Sequence, residues 1–179
     1  MIIAVSGFRG SGKSLFGQIA RDMGFPVFEM SEPILDLMRE LAIEITNESV
    51  RNFATDFREK GGADAVAKLL LHKIKIALQT SSAVVVVGAR SEDEVAVFRD
   101  AGQVTTVAVV SDGAKRFERV RGRGKESDPK TAAEFKWADD VEAKWGLKKL
   151  LETCDVKLEN NYSQKEFRQK AESFLEKYQ

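Results

Sequence analysis

The chain opens with a short apolar run, Ile2-Ile3-Ala4-Val5, that passes directly into Gly7-Phe8-Arg9-Gly10-Ser11-Gly12-Lys13-Ser14. Two glycines with four residues between them, followed at once by Lys and Ser, leave few alternatives for what this end of the chain builds. Glycine admits backbone angles closed to other residues and lets main chain approach a ligand. Successive N–H groups in such a turn converge into a nest for phosphate oxygens. The amphipathic stretch that follows, Leu15-Phe16-Gly17-Gln18-Ile19-Ala20, places the positive end of a helix at the same point. The eight residues Gly7, Phe8, Arg9, Gly10, Ser11, Gly12, Lys13 and Ser14 therefore read as a phosphate-binding loop. Lys13 is expected to reach the outer phosphates of a nucleotide, and the Ser14 hydroxyl to ligate Mg²⁺.

The remainder alternates between strand and helix signals. A helix from about Lys13 to Met23 ends at Gly24. A short strand, Val27 to Met30, leads to a helix with Ser31 as its cap and Pro33 in its first turn. Ile34, Leu37, Met38, Leu41 and Ile45 share one face there. A helix from Thr46-Asn47-Glu48 turns Val50, Phe53, Ala54 and Phe57 inward and stops at Gly61-Gly62. Another, Ala63 to Gln79, buries Val66, Leu69, Leu70, Ile74, Ala77 and Leu78. Helices in succession without a strand form an insertion, about 31–80, suited to an acceptor substrate. Ala83 to Gly88 is apolar throughout, as a central parallel strand requires. Ser91 with Glu94, Thr131 with Glu134 and Ser163 with Glu166 are capping boxes. They start helices that run to about Asp100, to about Glu152 and to the C-terminus. Val104 to Val110 and Cys154 to Leu158 complete five strands. The expected fold is α/β, a five-stranded parallel sheet with helices on both faces, in a single domain spanning 1–179.

Phosphoryl transfer asks a protein to position groups and offset charge. Between Lys115 and Lys125 stand Arg116, Arg119, Arg121 and Arg123, opposed by one acid, Glu118. Arg is suited to bidentate phosphate contacts, so this segment, about 112–136, reads as a lid that closes over the transfer, with a mobile loop at Arg121 to Gly124. Glu32, beyond strand two, is a candidate to orient an acceptor, and Arg58 and Arg90 are candidates to hold its phosphate. The usual metal-orienting Asp at the end of the strand beside the loop strand is missing, because Val87 stands there. Glu29 or Asp93 is the available substitute. His72 reads as an ordinary helical position, Cys154 as a core thiol, and Trp137 and Trp145 as core rather than base-stacking residues.

On these residues the chain resembles the nucleoside-monophosphate-kinase group of P-loop proteins. In particular it is similar to an archaeal set described as adenylate-kinase-related, of unassigned substrate. The resemblance runs nearly end to end. It takes in Gly7 to Ser14, Met30-Ser31-Glu32, Phe53-Ala54 through Arg58-Glu59 and Gly62, and Gly88-Ala89-Arg90-Ser91 with Glu94-Val95. It continues through the arginine segment, Asp128, Asp139 to Gly146, Asp155 and Asn160. It implies that Arg116 or Arg119 covers adenine or phosphates and that the loop near Asn160 lines a base pocket. Two departures stand out: Val87 in place of the family's Asp, and Ala138 in place of its Arg before Asp139. The architecture also resembles dephospho-coenzyme A kinases and phage deoxynucleotide kinases.

The expectation is an ATP- and Mg²⁺-dependent phosphotransferase for a small phosphorylated acceptor, first among them a nucleoside or deoxynucleoside monophosphate. A dephospho-coenzyme A kinase-like enzyme and a nucleotide-binding regulatory protein with little catalysis are the alternatives. Lys plus Arg equals Asp plus Glu at 28 each, which gives no general attraction to nucleic acid or membrane. A single cysteine excludes an internal disulfide and suits a reducing compartment. No leader or spanning segment is expected, and the reading is a cytoplasmic monomer or homodimer.

Overall fold

The computed structural model describes residues 1–179. Its centre is one parallel sheet in the order β2-β3-β1-β4-β5, formed by β1 (Ile2–Ser6), β2 (Val27–Glu29), β3 (Val84–Val87), β4 (Val104–Val110) and β5 (Val156–Glu159). β1 lies in the middle because it is apolar on both faces. Ile2 and Ala4 join the core on one side, with Val84 and Val86. Ile3 and Val5 join the other, with Val85, Val87, Val107 and Val109. Alternation along a strand thus divides one apolar run between two layers.

The second layer is covered by α1 (Lys13–Asp22) and α9 (Gln164–Leu175) through Phe16, Ile19, Phe167 and Phe174. The first is covered by α2 (Glu32–Glu40), α3 (Asn47–Gly61), α4 (Ala65–Ala77), α5 (Glu92–Arg99) and α8 (Leu147–Thr153). α6 (Gly113–Arg123) and α7 (Ala132–Lys144) form a helical hairpin beyond β4, and a short 3₁₀ turn at Glu176–Tyr178 ends the chain. No helix is long and apolar enough to cross a membrane.

Several local expectations are corrected. The helix expected to run to Glu152 breaks at Gly146, whose φ of +107° is open to glycine. The resulting corner packs α7 and α8 against Arg90 and Ser91; a Cβ at Gly146 would lie 3.3 Å from the Ser91 Cβ. Arg121 to Arg123 are the last turn of α6, not a mobile loop, and Gly124 closes it with φ +61°. Ser31 precedes α2 without capping it by its side chain. Leu69 and Leu41, expected to be inward, are exposed, because both lie at the outer edge of their apolar stripes. Trp137 is also partly exposed and lines a cleft, whereas Trp145 donates to the Thr55 hydroxyl at 3.1 Å and packs inside. Of the three expected boxes only that of Ser163 closes reciprocally, and Thr46 with Ser49 forms another; Glu94 and Glu134 reach past their caps to the backbone N–H of Arg90 and Lys130.

Candidate active site

The loop after β1 sits at the carboxyl edge of the sheet and is clamped from two sides. Gly10 and Gly12 have φ of +78° and +112°. A Cβ on Gly10 would fall 2.4 Å from the Arg116 carbonyl oxygen, and one on Gly12 would fall 2.1 Å from Asn160 Nδ2. Both glycines therefore answer a backbone angle and a close neighbour together. Asn160 is buried, and its amide donates to the Ser11 carbonyl at 2.8 Å, so it braces the loop. Gly12→Val is expected to abolish nucleotide binding while leaving the sheet folded, measured by calorimetry beside circular dichroism.

Lys13 opens α1, and its ammonium donates to the Phe8 carbonyl at 3.4 Å. Burial lowers its pKa to about 7, and the neighbouring cations Arg90, Arg9 and Arg123 push the same way, against Glu142. A group so placed gains from an arriving polyanion. A cleft of about 300 Å³ lies beside it, lined by Gly12, Lys13, Ser14, Arg119, Arg123 and Asn160.

The four lid arginines do not converge. Arg119 lines this cleft and donates to the Asn160 carbonyl at 2.8 Å and to the Ser111 hydroxyl at 3.1 Å. Arg123 also lines it, paired through two 2.7 Å hydrogen bonds with Asp128. Arg9 donates to the same carboxylate at 2.7 Å, so Asp128 ties the phosphate-binding loop to the lid. Arg116 is committed elsewhere. It meets Asp139 at 2.7 and 3.1 Å, donates to the Arg9 carbonyl, and lies over the rings of Phe8 and Phe135. Arg121 points to the other side and lines a separate cleft of about 1380 Å³ between the α2–α3 connection and the lid.

Arg58, expected to hold an acceptor, does not face the site. It pairs with Glu94 at 2.6 Å, donates to the Ala54 carbonyl and stacks on Trp145. It is a brace between α3, α5 and the α7–α8 corner. A different arginine from α3, Arg51, lies beside Arg90 and Glu142 instead. Arg51 is 2% exposed and donates to the Asn47 carbonyl and side chain. Its other donors face Glu142, which also faces Arg90; both pairs are 3.5 Å apart. Arg90 itself donates to the Gly88 carbonyl. Arg90, Lys13, Arg9 and Arg51 hold the Glu142 carboxyl at about 2 despite its burial. Arg51, Glu142 and Asp128 were not among the candidates from sequence. The available signal was a charge at helical spacing on a buried face: Arg51 with Asn47 and Ala54, and Glu142 with Phe135 and Ala138.

This arrangement carries a pH prediction. The Glu142 pKa lies below its unfolded value of 4.5, so the stability it contributes is present above 4.5 and is lost as pH falls toward 2. Acid titration of the Glu142→Gln variant should show a shallower loss of thermal stability across that window than the wild type.

Glu32 is exposed in the first turn of α2, with no hydrogen-bond partner, and lines neither cleft. Asp93 is exposed on α5, whereas Glu29 is half-buried and pairs in register with Val87 on the next strand. In-register residues on parallel strands point to the same face. Both touch α1 at Gly17, where an added Cβ would lie 3.0 Å from Val87 Cγ2 and 3.3 Å from Glu29 Oε1. The acid missing at Val87 is thus present one strand over. Burial raises the pKa of Glu29, opposed by Arg21 and Lys13. His72 is exposed, and burial pushes the Cys154 thiol up to about 11. No cluster of His, Cys, Asp and Glu could hold a metal unaided.

Comparison with known proteins places this geometry. No family model matches the chain. A UPF0200 protein of Hyperthermus butylicus is 41% identical over 175 residues, 98% of this chain and 93% of the relative. A UPF0200 protein of Thermococcus gammatolerans is 34% identical over 99% of this chain and 95% of its own length. Among solved structures, TT1252 from Thermus thermophilus matches with a TM-score of 0.68 at 18% identity, covering 100% of this chain and 98% of that one. Shikimate kinase from Aquifex aeolicus matches with a TM-score of 0.55 at 20% identity over 98% and 96% of the two chains. Shikimate kinase from Acinetobacter baumannii, solved with shikimate, matches at 0.60 and 16% identity, over 98% of this chain and 90% of that one. Likeness at these identities fixes the fold, a P-loop kinase fold.

Proposed function

The chain belongs to the UPF0200 family, and from its site we propose that it is an ATP-dependent phosphotransferase acting on a small phosphorylated acceptor, first a nucleoside or deoxynucleoside monophosphate. The observation that carries this reading is the buried Arg51–Arg90 pair. Arg51 Nε and Nη2 and Arg90 Nε are open, and Arg90 lies close enough to Lys13 for the two charges to act on one another. Buried guanidinium groups without hydrogen-bond partners are costly unless an anion supplies them.

In this reading Lys13 and the loop amides bind the β- and γ-phosphates, with Arg119 and Arg123 flanking them. The acceptor oxygen attacks the γ-phosphorus, the bond to the β–γ bridging oxygen breaks, and ADP leaves. Arg51 and Arg90 hold the acceptor phosphate, and Glu32 orients the acceptor's sugar. Ser14 and Glu29 would hold Mg²⁺, both offering the oxygen atoms this ion prefers. Bound there, the ion would offset charge between the β- and γ-phosphates. Glu29 beside Val87 weighs against the purely regulatory alternative.

A dephospho-coenzyme A-type acceptor is favoured as a second reading by the 1380 Å³ cleft, larger than the 300–1,000 Å³ usual for small ligands. The two separate cleanly. A steady-state panel of nucleoside monophosphates, dephospho-coenzyme A and shikimate should give turnover with a monophosphate. Turnover with dephospho-coenzyme A alone, lost in Glu32→Gln, establishes the second reading. No turnover with any of them, beside a working control kinase, contradicts both.

A further inference from the structure

The ion pairs around this site are of two kinds. Arg58 with Glu94 closes to 2.6 Å, and Arg9 with Asp128, Arg116 with Asp139 and Arg123 with Asp128 close to 2.7 Å. Those pairs are directly hydrogen-bonded, although Arg9 Nε and Arg58 Nε are themselves buried without a partner. Around Glu142 both contacts stretch to 3.5 Å, although Arg51 and Glu142 are each 2% exposed. Arg51 Nε and Nη2, Arg90 Nε and Glu142 Oε2 are all buried without a hydrogen-bond partner. A pair built only for stability would close, because desolvation is otherwise left uncompensated. Here three donors from two side chains remain open around one carboxylate, Arg51 facing Oε1 and Arg90 facing Oε2. Three donors from two directions suit a tetrahedral oxyanion better than a planar carboxylate, which one guanidinium fork already satisfies.

The charges tell the same story. Arg51 and Arg90 bring two positive charges and Glu142 one negative. Lys13 and Arg9 add further positive charge around the carboxylate, and Asp128 answers Arg9 directly. Glu142 reaches the site from α7, one turn beyond Asp139, which anchors the same helix to α6 through Arg116. The carboxylate is therefore carried by the helix that returns from the lid, not by the acceptor-side helices.

Resting on the Arg51–Arg90 pair as the acceptor-phosphate site, we propose that Glu142 is a specificity-determining counter-ion: it holds the two arginines together in the empty protein, occupies the place of the acceptor's phosphate charge, and limits how strongly an anion binds there. Glu142 acts through the arginines and touches no reacting atom, so it is a positioning residue. Its removal should move two properties in opposite directions. The empty protein loses the partner of two buried cations and becomes less stable. An incoming phosphate no longer meets a like charge and binds more tightly. A residue with a structural role alone would lower both.

The test uses inorganic phosphate, titrated by calorimetry into protein saturated with Mg²⁺ and a non-hydrolysable ATP analogue, so that the phosphate-binding loop is already filled. Glu142→Gln should bind phosphate about tenfold more tightly than wild type while melting at a lower temperature. Unchanged or weaker binding by folded Glu142→Gln overturns the proposal. So does a nucleotide-saturated wild type that takes up no phosphate in the millimolar range, or that takes up acetate equally well. Should Glu142→Gln not fold, the double variant Arg51→Gln/Glu142→Gln restores the net charge and should lose phosphate binding; retention at wild-type affinity also overturns it. A wild type that fails to bind the analogue contradicts the proposed function instead, and phosphate is then titrated alone.

Discussion

Lys13→Met is expected to lower kcat/KM by a factor on the order of 10²–10³, the usual cost of removing a preorganised charge donor from a transferring group. The same substitution is expected to raise the thermal midpoint. The Lys13 ammonium is half-buried among Arg90, Arg9 and Arg123, with Glu142 opposing them. Its pKa of about 7, below the ordinary 10.5, means that the folded state disfavours the charged form. Removing the charge relieves that strain, so function and stability part company, as they do where a site is built for a ligand rather than for the fold. Steady-state kinetics and differential scanning calorimetry on the same preparations check both halves. A variant that loses activity and stability together would mean that Lys13 is a structural residue of the loop.

Glu94→Ala should be the most damaging substitution remote from the phosphates. Glu94 is fully buried, accepts from Arg58 at 2.6 Å and from the Arg90 backbone N–H at 2.6 Å. Its loss leaves the Arg58 guanidinium buried against Trp145 without a counter-ion and frees the loop that carries Arg90. Breaking a buried pair from one side costs about 3–5 kcal/mol. At roughly 2–4 °C per kcal/mol for a chain of this size, the midpoint should fall by about 10 °C. Arg58→Met in the same background should recover part of the loss, because it removes the orphaned charge and keeps the packing. Urea unfolding of the single and double variants measures this directly. A loss under about 1 kcal/mol for Glu94→Ala would show that water reaches the pair.

The strand-helix alternation was legible because the central strands β1 and β3 are nearly continuous apolar runs, as in Val84 to Val87, and because glycines and capping residues punctuate the helices. The loop from Gly7 to Ser14 was legible because its residues are contiguous. The rest of the site is not contiguous. Arg51, Arg90 and Glu142 come from α3, the loop after β3 and α7, and only the fold brings them to Lys13. Arg58 and Arg51 are one helical repeat of seven apart on the same helix, so periodicity cannot say which meets a ligand. Glu94 decides it by capturing Arg58. The same holds in the lid. Arg116 and Arg119 share a helix face in sequence, yet Asp139 engages one and leaves the other beside the cleft. The absent acid at Val87 was visible and left Glu29 and Asp93 as alternatives; strand register sets Glu29, not Asp93, beside Val87.

The central claim is that the loop from Gly7 to Ser14 binds a nucleoside triphosphate beside a second anion site at Arg51 and Arg90. The most direct test is isothermal titration of Mg-ATP into the purified protein, repeated with each nucleoside monophosphate in the presence of a non-hydrolysable analogue. The account predicts saturable nucleotide binding in the micromolar range and one monophosphate that binds more tightly once the analogue is present. Absence of nucleotide binding by folded protein would contradict it.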